Sequence, residues 1–328
     1  MPKSLRLIIQ GFMFLQIIIL IIGFIVLIKG ADLFVDAASS LAANFKVSKM
    51  LIALTIVAFG TSAPELAVSI KSMAGGSGDI VLGNVLGSNI LNILLILGVS
   101  GLVHYLNVKN ATVRKELPIT ILLSSILFVT MNDTLISGAK VNSLTRSDGI
   151  IILLFFSVFV YYLISTMRNK TDKTEDKPKY NIFKSIIFTV IGIVCLVLGS
   201  NAVVDSASHI AARLGVSERM ISLTIIALGT SLPELVTSVT ATRKGEYDIA
   251  IGNVVGSNIF NIGIVLGIPL VLFGGIKSFS INLTDIIVML LSAVLLFLFS
   301  YKDNKISKIE GIIFLLMFIV YYSFVIFV

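Results

Sequence analysis

AFGTSAPEL at residues 58–66 and ALGTSLPEL at residues 227–235 are two near-identical stretches, each inside a run of apolar residues long enough to cross a membrane. Each stretch holds one proline and one glutamate. Both residue types are costly in a membrane helix, because proline removes a backbone hydrogen bond and a carboxylate must leave water. The pattern predicts that this protein handles charged species at the place where Glu65 and Glu234 meet.

The composition predicts a membrane protein with many spans. Of its 328 residues, 56% are hydrophobic and only 13% are charged, whereas soluble domains carry about 25% charged residues. The net charge of +7 is better explained by cytoplasmic loops in contact with a lipid bilayer than by nucleic acid. The single Cys195 allows no intrachain disulfide. No cleavable signal is expected, since the first apolar run continues without a small-residue cleavage site.

Apolar runs predict an all-α membrane protein with ten transmembrane helices. The predicted spans are 12–42, 48–73, 80–106, 114–131, 147–167, 182–213, 217–243, 249–275, 283–301 and 308–327. Loops after the odd-numbered spans hold 16 Lys and Arg residues, and the other loops with the N-terminus hold 8. Because cytoplasmic loops are the Lys- and Arg-rich ones, this bias predicts that both termini are extracytoplasmic. The expected location is the cell (plasma or inner) membrane.

The two halves of the chain repeat each other. Glu234 follows Glu65 by 169 residues, and the same offset holds without a gap from about Gly30 to Gly98. Each half has five predicted spans, so the second half must enter the membrane upside down, as in the inverted repeats of secondary transporters. The predicted units are a first five-helix repeat, 1–167, with its motif at 58–98; a cytoplasmic linker, 168–181; and a second repeat, 182–328, with its motif at 227–267.

The prolines predict a break in each motif helix. The ring of Pro64 clashes with the carbonyl of Gly60, so the helix should bend and leave carbonyls free around Ala58 to Thr61, as Pro233 should do at Gly229. Free carbonyls inside a membrane need a partner, and a cation is one candidate. Polar residues on the same face are expected to join them, namely Thr61, Thr230, Ser62 and Ser231.

The helix after each motif predicts the opposite wall of the site. Polar residues recur there at a spacing of four, as Asn84, Ser88 and Asn92 in the first half and Asn253, Ser257 and Asn261 in the second. Asn84 and Asn253 could instead be interhelical hydrogen-bonding residues. Two GxxxG spacings, Gly83 with Gly87 and Gly252 with Gly256, favour close approach of helix backbones.

These donors are all hard oxygen ligands. Ca²⁺ takes 6–8 such oxygens in flexible geometry, whereas Mg²⁺ keeps its waters and softer metals favour His or Cys. Two negative charges match one Ca²⁺, two Na⁺ or two protons. The ions are expected to be transported, and no cofactor is predicted.

These motifs resemble the two alpha repeats of the calcium/cation antiporter superfamily. GTSAPE with GNVLGSNILNILLILG, and GTSLPE with GNVVGSNIFNIGIVLG, carry the resemblance, and RKGEYDIAIGNVVGSNIFNI at 243–262 with TRSDGI at 145–150 is most similar to the prokaryotic sodium/calcium exchanger branch. The resemblance covers essentially the whole chain. It implies the ten-helix inverted-repeat fold, in which helices 1 and 6 slide across a core of helices 2, 3, 7 and 8.

The resemblance also implies roles for individual residues. Glu65 and Glu234 would bind Ca²⁺ and share in Na⁺ binding, with the backbone carbonyls of Thr61 and Thr230 completing the Ca²⁺ site. Flanking Na⁺ sites would be lined by Ser62, Ser231, Ser88, Ser257 and the carbonyls of Ala58 and Ala227, with Asn92 and Asn261 as the remaining wall. Many sodium-coupled relatives have an acid at the position of Asn261, so this amide leaves Na⁺ or H⁺ coupling, stoichiometry and K⁺ dependence open.

The predicted function is therefore an antiporter, not an enzyme, that expels Ca²⁺ in exchange for Na⁺ and acts as a monomer. Ca²⁺/H⁺ exchange is the first alternative. A cation channel is disfavoured, because channels usually arrange identical elements around a pore. An intramembrane hydrolase with paired carboxylates is disfavoured too, because the sequence indicates no activated water.

Overall fold

Helices account for most of the computed structural model, which describes residues 3–168, 177–216, 221, 224–225, 227–279 and 281–327. The helices of the first half are α1 (Lys3–Phe45), α2 (Lys49–Ile52), α3 (Ala58–Thr61), α4 (Ala63–Ala74), α5 (Gly78–Leu91), α6 (Gly98–Val103), α7 (Asn110–Arg114), α8 (Glu116–Thr130), α9 (Asp133–Ile136) and α10 (Arg146–Arg168). Those of the second half are α11 (Ile182–Arg213), α12 (Ala227–Thr230), α13 (Leu232–Arg243), α14 (Tyr247–Phe260), α15 (Gly267–Phe273), α16 (Leu283–Asp303) and α17 (Lys308–Phe327). The prediction of an all-α membrane protein is confirmed.

Seven of the described helices are long and apolar enough to cross a membrane, or eight if the bent pair Lys49–Thr61 and Ala63–Ala74 forms one span. Large apolar side chains such as Ile21, Phe183 and Val320 are exposed on their outer faces, as a lipid-facing surface requires. The count differs from the ten predicted spans for two further reasons. The fourth predicted span corresponds to the 15-residue α8, and the seventh, 217–243, lies partly outside the described residues. So does most of the predicted linker, 168–181.

In the described part of the chain, three complete π-helical segments interrupt the helices that carry the motifs. Ala53–Val57 joins α2 to α3, Asn92–Leu97 joins α5 to α6, and Asn261–Leu266 joins α14 to α15. Such segments are frequently found at functional sites. Two of them begin at the predicted site residues Asn92 and Asn261.

Among the described residues, four two-residue strands connect the ends of the helices. β1 (Leu106–Asn107) pairs with β4 (Lys305–Ile306), and β2 (Leu144–Thr145) pairs with β3 (Gly275–Ile276), both antiparallel. Each ladder therefore joins one half of the chain to the other.

The longest helices, α1 and α11, cross at glycines. A Cβ at Gly199 would lie 2.8 Å from the backbone nitrogen of Leu27 and 3.0 Å from the carbonyl oxygen of Gly23, and a Cβ at Gly30 would lie 2.6 Å from the Cβ of Cys195. Gly30 and Gly199 are separated by the repeat offset of 169. The repeat therefore reaches beyond the motifs to this crossing.

The second GxxxG pair packs closely against the helix of the first motif. A Cβ at Gly252 would lie 2.5 Å from the Cβ of Ala53, and a Cβ at Gly256 would lie 2.6 Å from the Cβ of Ala58. A Cβ at Gly83 or Gly87 would have no atom of the described residues within 4 Å. By the repeat offset, the residues that would pack against Gly83 and Gly87 lie at about 219–227, and most of that range is outside the described part. Close approach is therefore seen for Gly252 and Gly256 only, among the described residues.

One end of α1 is held by ion pairs. The Asp36 carboxylate binds Lys179 at 2.6 Å and Lys244 at 2.8 Å, and Glu246 binds Lys49 at 2.7 Å and the Ser39 hydroxyl at 3.1 Å. Hydrogen bonding to Asp36 raises the pKa of the exposed Lys179. Asp36 thus forms ion pairs near one end of α1 and is not among the motif residues.

Substitution of Gly199 by alanine is expected to destabilise the protein by about 1–3 kcal/mol, because the new methyl group would collide with backbone that cannot rotate away. Thermal unfolding of the purified protein in detergent measures the effect. Gly75→Ala is the matched control, since its Cβ would make ordinary contacts at 3.5 Å. Equal melting temperatures for the two variants would contradict this close packing of α1 on α11.

Candidate cation-binding site

A break in the first motif helix brings its polar residues to the centre of the protein. Lys49–Thr61 and Ala63–Ala74 meet at an angle of 46°, with Ser62 between them at φ −84° and ψ 6°. Pro64 stands in the first turn of α4, where a missing N–H costs little. Ser231 repeats this geometry before α13, at φ −85° and ψ 3°, with Pro233 in the first turn. The helix thus breaks just before Pro64, and the backbone before Pro233 has the same local geometry.

Both predicted glutamates are buried. Glu65 is 0% exposed and Glu234 is 1% exposed, and each lies in the first turn of its helix, α4 or α13. The positive end of a helix dipole favours a carboxylate at this position. The two carboxyl groups are close enough to interact electrostatically. The structure therefore places one acid from each half in a shared buried space.

Most of the carboxylate oxygens have no hydrogen-bond partner among the described residues. Oε1 and Oε2 of Glu65 and Oε2 of Glu234 are buried and unpartnered. The remaining oxygen, Oε1 of Glu234, accepts a hydrogen bond of 3.2 Å from the Ser62 hydroxyl, which belongs to the other half. Buried unpartnered carboxylate oxygens are energetically costly. A cation bound between the two groups would remove that cost.

Two asparagines hold the glutamate backbones in place. The Asn84 amide donates to the Glu65 carbonyl at 3.0 Å and to the Ser69 hydroxyl at 3.1 Å. The Asn253 amide donates to the Glu234 carbonyl at 3.3 Å and to the Ser238 hydroxyl at 2.9 Å. The alternative that Asn84 and Asn253 act as interhelical hydrogen-bonding residues agrees with these contacts. Ser69 and Ser238 were not among the predicted residues, although they keep the repeat offset.

Hydroxyl groups from both halves meet beside the glutamates. The Thr61 hydroxyl lies 3.0 Å from Oδ1 of Asn253 and 3.4 Å from the Ser257 hydroxyl. The Ser231 hydroxyl donates to Ser88 across 3.4 Å. The predicted residues Thr61, Ser62, Ser88, Ser231 and Ser257 are thus brought together, and each contact crosses between the two halves.

The amide wall contains two residues that the motif analysis missed. Asn92 donates to Oδ1 of Asn258 at 2.9 Å, and Asn261 donates to Oδ1 of Asn89 at 3.4 Å. Among the described residues, Oδ1 of Asn92 and of Asn261 have no partner and are buried. Asn89 and Asn258 keep the repeat offset in GSN, so the repeat could have identified them.

The carbonyls that the prolines were predicted to free are only partly free. The Ala58 carbonyl still accepts from the backbone N–H of Ser62 at 3.0 Å and from the Thr61 hydroxyl at 3.3 Å. This differs from the prediction because Pro64 removes only the bond to Gly60. In the second half the Gly229 carbonyl accepts from the Ser200 hydroxyl of α11 at 2.7 Å. Alanine, without a hydroxyl, occupies the equivalent position 31.

The remaining predicted residues border this region. Gly60 packs against Ile193 and Gly229 against Val204, both on α11. Thr230 ends the short helix α12, which begins at Ala227. Residues 217–220, 222–223 and 226, just before it, lie outside the described part.

A multi-pass membrane protein with an oxygen-lined, acidic site between two sequence repeats defines a cation-transporter class. The model of the family "Sodium/calcium exchanger protein" matches residues 15–165 and 184–327. The chain belongs to this family, in the prokaryotic branch of the calcium/cation antiporter superfamily.

Known proteins support this assignment over nearly the whole chain. The chain is 37% identical to the putative antiporter CaxA of Alkalimonas amylolytica, over 94% of this chain and 98% of that one. It is 31% identical to the sodium/calcium exchanger MaX1 of Methanosarcina acetivorans, with the same coverage. A solved structure of the sodium-calcium exchanger NCX_Mj, soaked with Na⁺ and Ca²⁺, matches with a TM-score of 0.81 at 30% identity, covering 94% of this chain and 98% of that one. These relatives are exchangers rather than enzymes.

Glu65→Gln and Glu234→Gln are each expected to abolish high-affinity Ca²⁺ binding while leaving the fold intact, because the amide keeps the shape and removes the charge that a divalent ion needs. Radiolabelled Ca²⁺ binding to purified protein measures this, with elution volume on size-exclusion chromatography as the check on folding. Asp303→Asn, at an exposed carboxylate at the end of α16, is the control. Near-normal Ca²⁺ binding in either glutamine variant would refute the assignment of that glutamate.

Proposed function

We propose that this protein is a secondary active antiporter that exchanges Ca²⁺ for Na⁺ by alternating access. The observation that supports it most is the pair of buried glutamates from opposite halves, with three of four carboxylate oxygens unpartnered among the described residues. Their two negative charges match one Ca²⁺ or two Na⁺. Hydroxyl and amide oxygens around them extend the oxygen-only donor set that Ca²⁺ favours.

The cost of an empty site favours exchange over uniport. A charge at the membrane centre costs roughly 2.5–3.5 kcal/mol on insertion scales, so two ionised glutamates would cost about 5–7 kcal/mol if additive. At about 1.4 kcal/mol per decade, an empty, occluded and doubly ionised site is populated below roughly one part in a thousand. The reorientation step therefore proceeds with cations bound.

The proposed residue roles are those that the family resemblance implies. Glu65 and Glu234 bind Ca²⁺ together with the carbonyls of Thr61 and Thr230. Na⁺ binds beside them, at the hydroxyls of Ser62, Ser88, Ser231 and Ser257 and the carbonyls of Ala58 and Ala227, with Asn92 and Asn261 completing the wall. Since Ser62 already donates to Glu234, Na⁺ at Ser62 would share an oxygen of the same carboxylate. Competition between the two ions for the same oxygens would couple their movements.

The proposed architecture is two inverted five-helix repeats, 1–167 and 182–328, joined by the linker at 168–181. Two of its supports are the repeat offset of 169 and the crossing of α1 with α11 at equivalent glycines. Two repeats of five spans give an even total, so both termini lie on the same side of the membrane. The Lys and Arg bias indicates that this is the extracytoplasmic side. The protein acts as a monomer in the cell membrane.

Ca²⁺/H⁺ exchange is the second candidate, because both halves carry an amide in the wall of the site. Because the amides of Asn92 and Asn261 do not titrate, Glu65 and Glu234 are the titratable groups of the predicted site. Two glutamates that each release one proton would also balance one Ca²⁺.

Ca²⁺ uptake into proteoliposomes separates the two couplings. An outward Na⁺ gradient at constant pH is expected to drive accumulation of radiolabelled Ca²⁺, and an outward proton gradient without Na⁺ is not. Proteoliposomes with Glu65→Gln are the matched control for leak. Uptake driven by the proton gradient alone would establish the second candidate, and rapid downhill Ca²⁺ flux without any counter-cation would exclude both exchange reactions.

A further inference from the structure

A cavity with one buried carboxylate in its wall lies away from the glutamate pair. It has a volume of about 80 Å³, and its polar lining includes Ser48, Lys109, Thr112, Lys115, Glu116 and Tyr162. This volume is several times the roughly 10–15 Å³ that a single water molecule needs. Its residues adjoin the loops whose Lys and Arg content predicts the cytoplasmic side.

The cavity contains polar atoms that the protein leaves unsatisfied. Glu116 is 3% exposed and Thr112 is 1% exposed. One Glu116 oxygen, Oε1, accepts from the Tyr162 hydroxyl. The other, Oε2, and the Thr112 hydroxyl are buried without a hydrogen-bond partner among the described residues. Thr112 lies on α7 and Glu116 begins α8, on either side of a helix break at Lys115, and both residues line the cavity. Ser48, across the cavity, adds a hydroxyl oxygen, which accepts a hydrogen bond from the N–H of Leu51.

The charges around the cavity define the class of ligand. A buried carboxylate repels anions, and the polar atoms are oxygens, which suit a hard cation. Lys109 is already paired with Asp248 at 2.7 Å. The Lys115 ammonium lies 5.7 Å from the centre of the Tyr162 ring, so one positive charge stands near a single carboxylate. That balance disfavours a divalent ion, whose affinity rises with the number of ligand charges.

The other half of the chain offers a natural comparison. Asp285 follows Glu116 by the repeat offset of 169, and it also accepts a hydrogen bond from a tyrosine, Tyr321, at 2.8 Å. Asp285 is only half-buried, however, and the groove beside Tyr321 is lined almost wholly by apolar side chains. A carboxylate–tyrosine pair thus connects helices in both halves. Of these two pairs, only the one at Glu116 has a buried oxygen without a partner among the described residues, facing a polar cavity.

We propose that this cavity is a second cation site, separate from the transport site, in which Oε2 of Glu116 and the hydroxyls of Thr112 and Ser48 bind one monovalent alkali cation. The cavity borders Met50, Leu51 and Leu54, which belong to the same bent segment, Lys49–Thr61, that carries Thr61. A cation there would fix the far end of the helix that leads into the transport site.

Equilibrium binding of radiolabelled Na⁺ tests the proposal on the full chain carrying Glu65→Gln and Glu234→Gln, at constant ionic strength in choline chloride. One saturable Na⁺ per chain is expected to disappear when Glu116→Gln is added. Asp285→Asn, the matched control, is expected to leave it unchanged. Displacement by KCl measures whether K⁺ occupies the same site. Because the background lacks both transport carboxylates, the outcome is independent of which ions the protein exchanges.

Thr112→Val keeps the test decisive if the Glu116 variant does not fold. This isosteric change removes one ligand without altering charge, and it is expected to weaken Na⁺ binding by about two- to tenfold. Absence of any saturable Na⁺ or K⁺ binding in the background, or binding that neither Glu116→Gln nor Thr112→Val alters, would overturn the proposal and leave water as the occupant of the cavity.

Discussion

Two carboxyl groups that share one buried space must have their charge neutralised, by a bound cation or by protons, and the surrounding structure is consistent with this electrostatic constraint. Each glutamate lies in the first turn of a helix, where the backbone dipole partly offsets its charge. Each has its own carbonyl bound by an asparagine of the following helix. The protein thereby fixes the backbone of both acids without using up their carboxylate oxygens, three of which have no partner among the described residues. An arrangement of this kind orients ligands before the ion arrives.

The site is assembled by contacts that cross between the halves. Ser62 binds Glu234, Thr61 contacts Asn253 and Ser257, and Asn92 binds Asn258. Neither repeat could form this region alone, so movement of one half against the other would alter the ligands of a bound ion. The halves are not identical, however. Ser200 satisfies the carbonyl of Gly229, whereas alanine stands at the equivalent position in the first half.

The acidic, oxygen-rich character of the site could be predicted from sequence, because a proline or a glutamate is unfavourable in a membrane helix whatever its distant neighbours are. A proline and a glutamate in an apolar run are informative on their own, and their recurrence at an offset of 169 shows which residues belong together. Contacts that depend on packing could not be predicted in the same way. Ser200 lies on α11, far from the motif in sequence, and the roles of Asn89 and Asn258 depend on amide contacts with Asn261 and Asn92 across the two halves. The cavity at Glu116 was missed for the same reason, since it is formed by three separate segments.

The most direct measurement is the position of Ca²⁺ in crystals of this protein, located by anomalous X-ray scattering. We expect a peak between Glu65 and Glu234, with carboxylate oxygens of both residues at about 2.3–2.6 Å from the ion, the usual range for Ca²⁺ ligands. A Ca²⁺ ion bound by only one of these glutamates, or bound elsewhere while the two carboxyl groups lie apart, would contradict it.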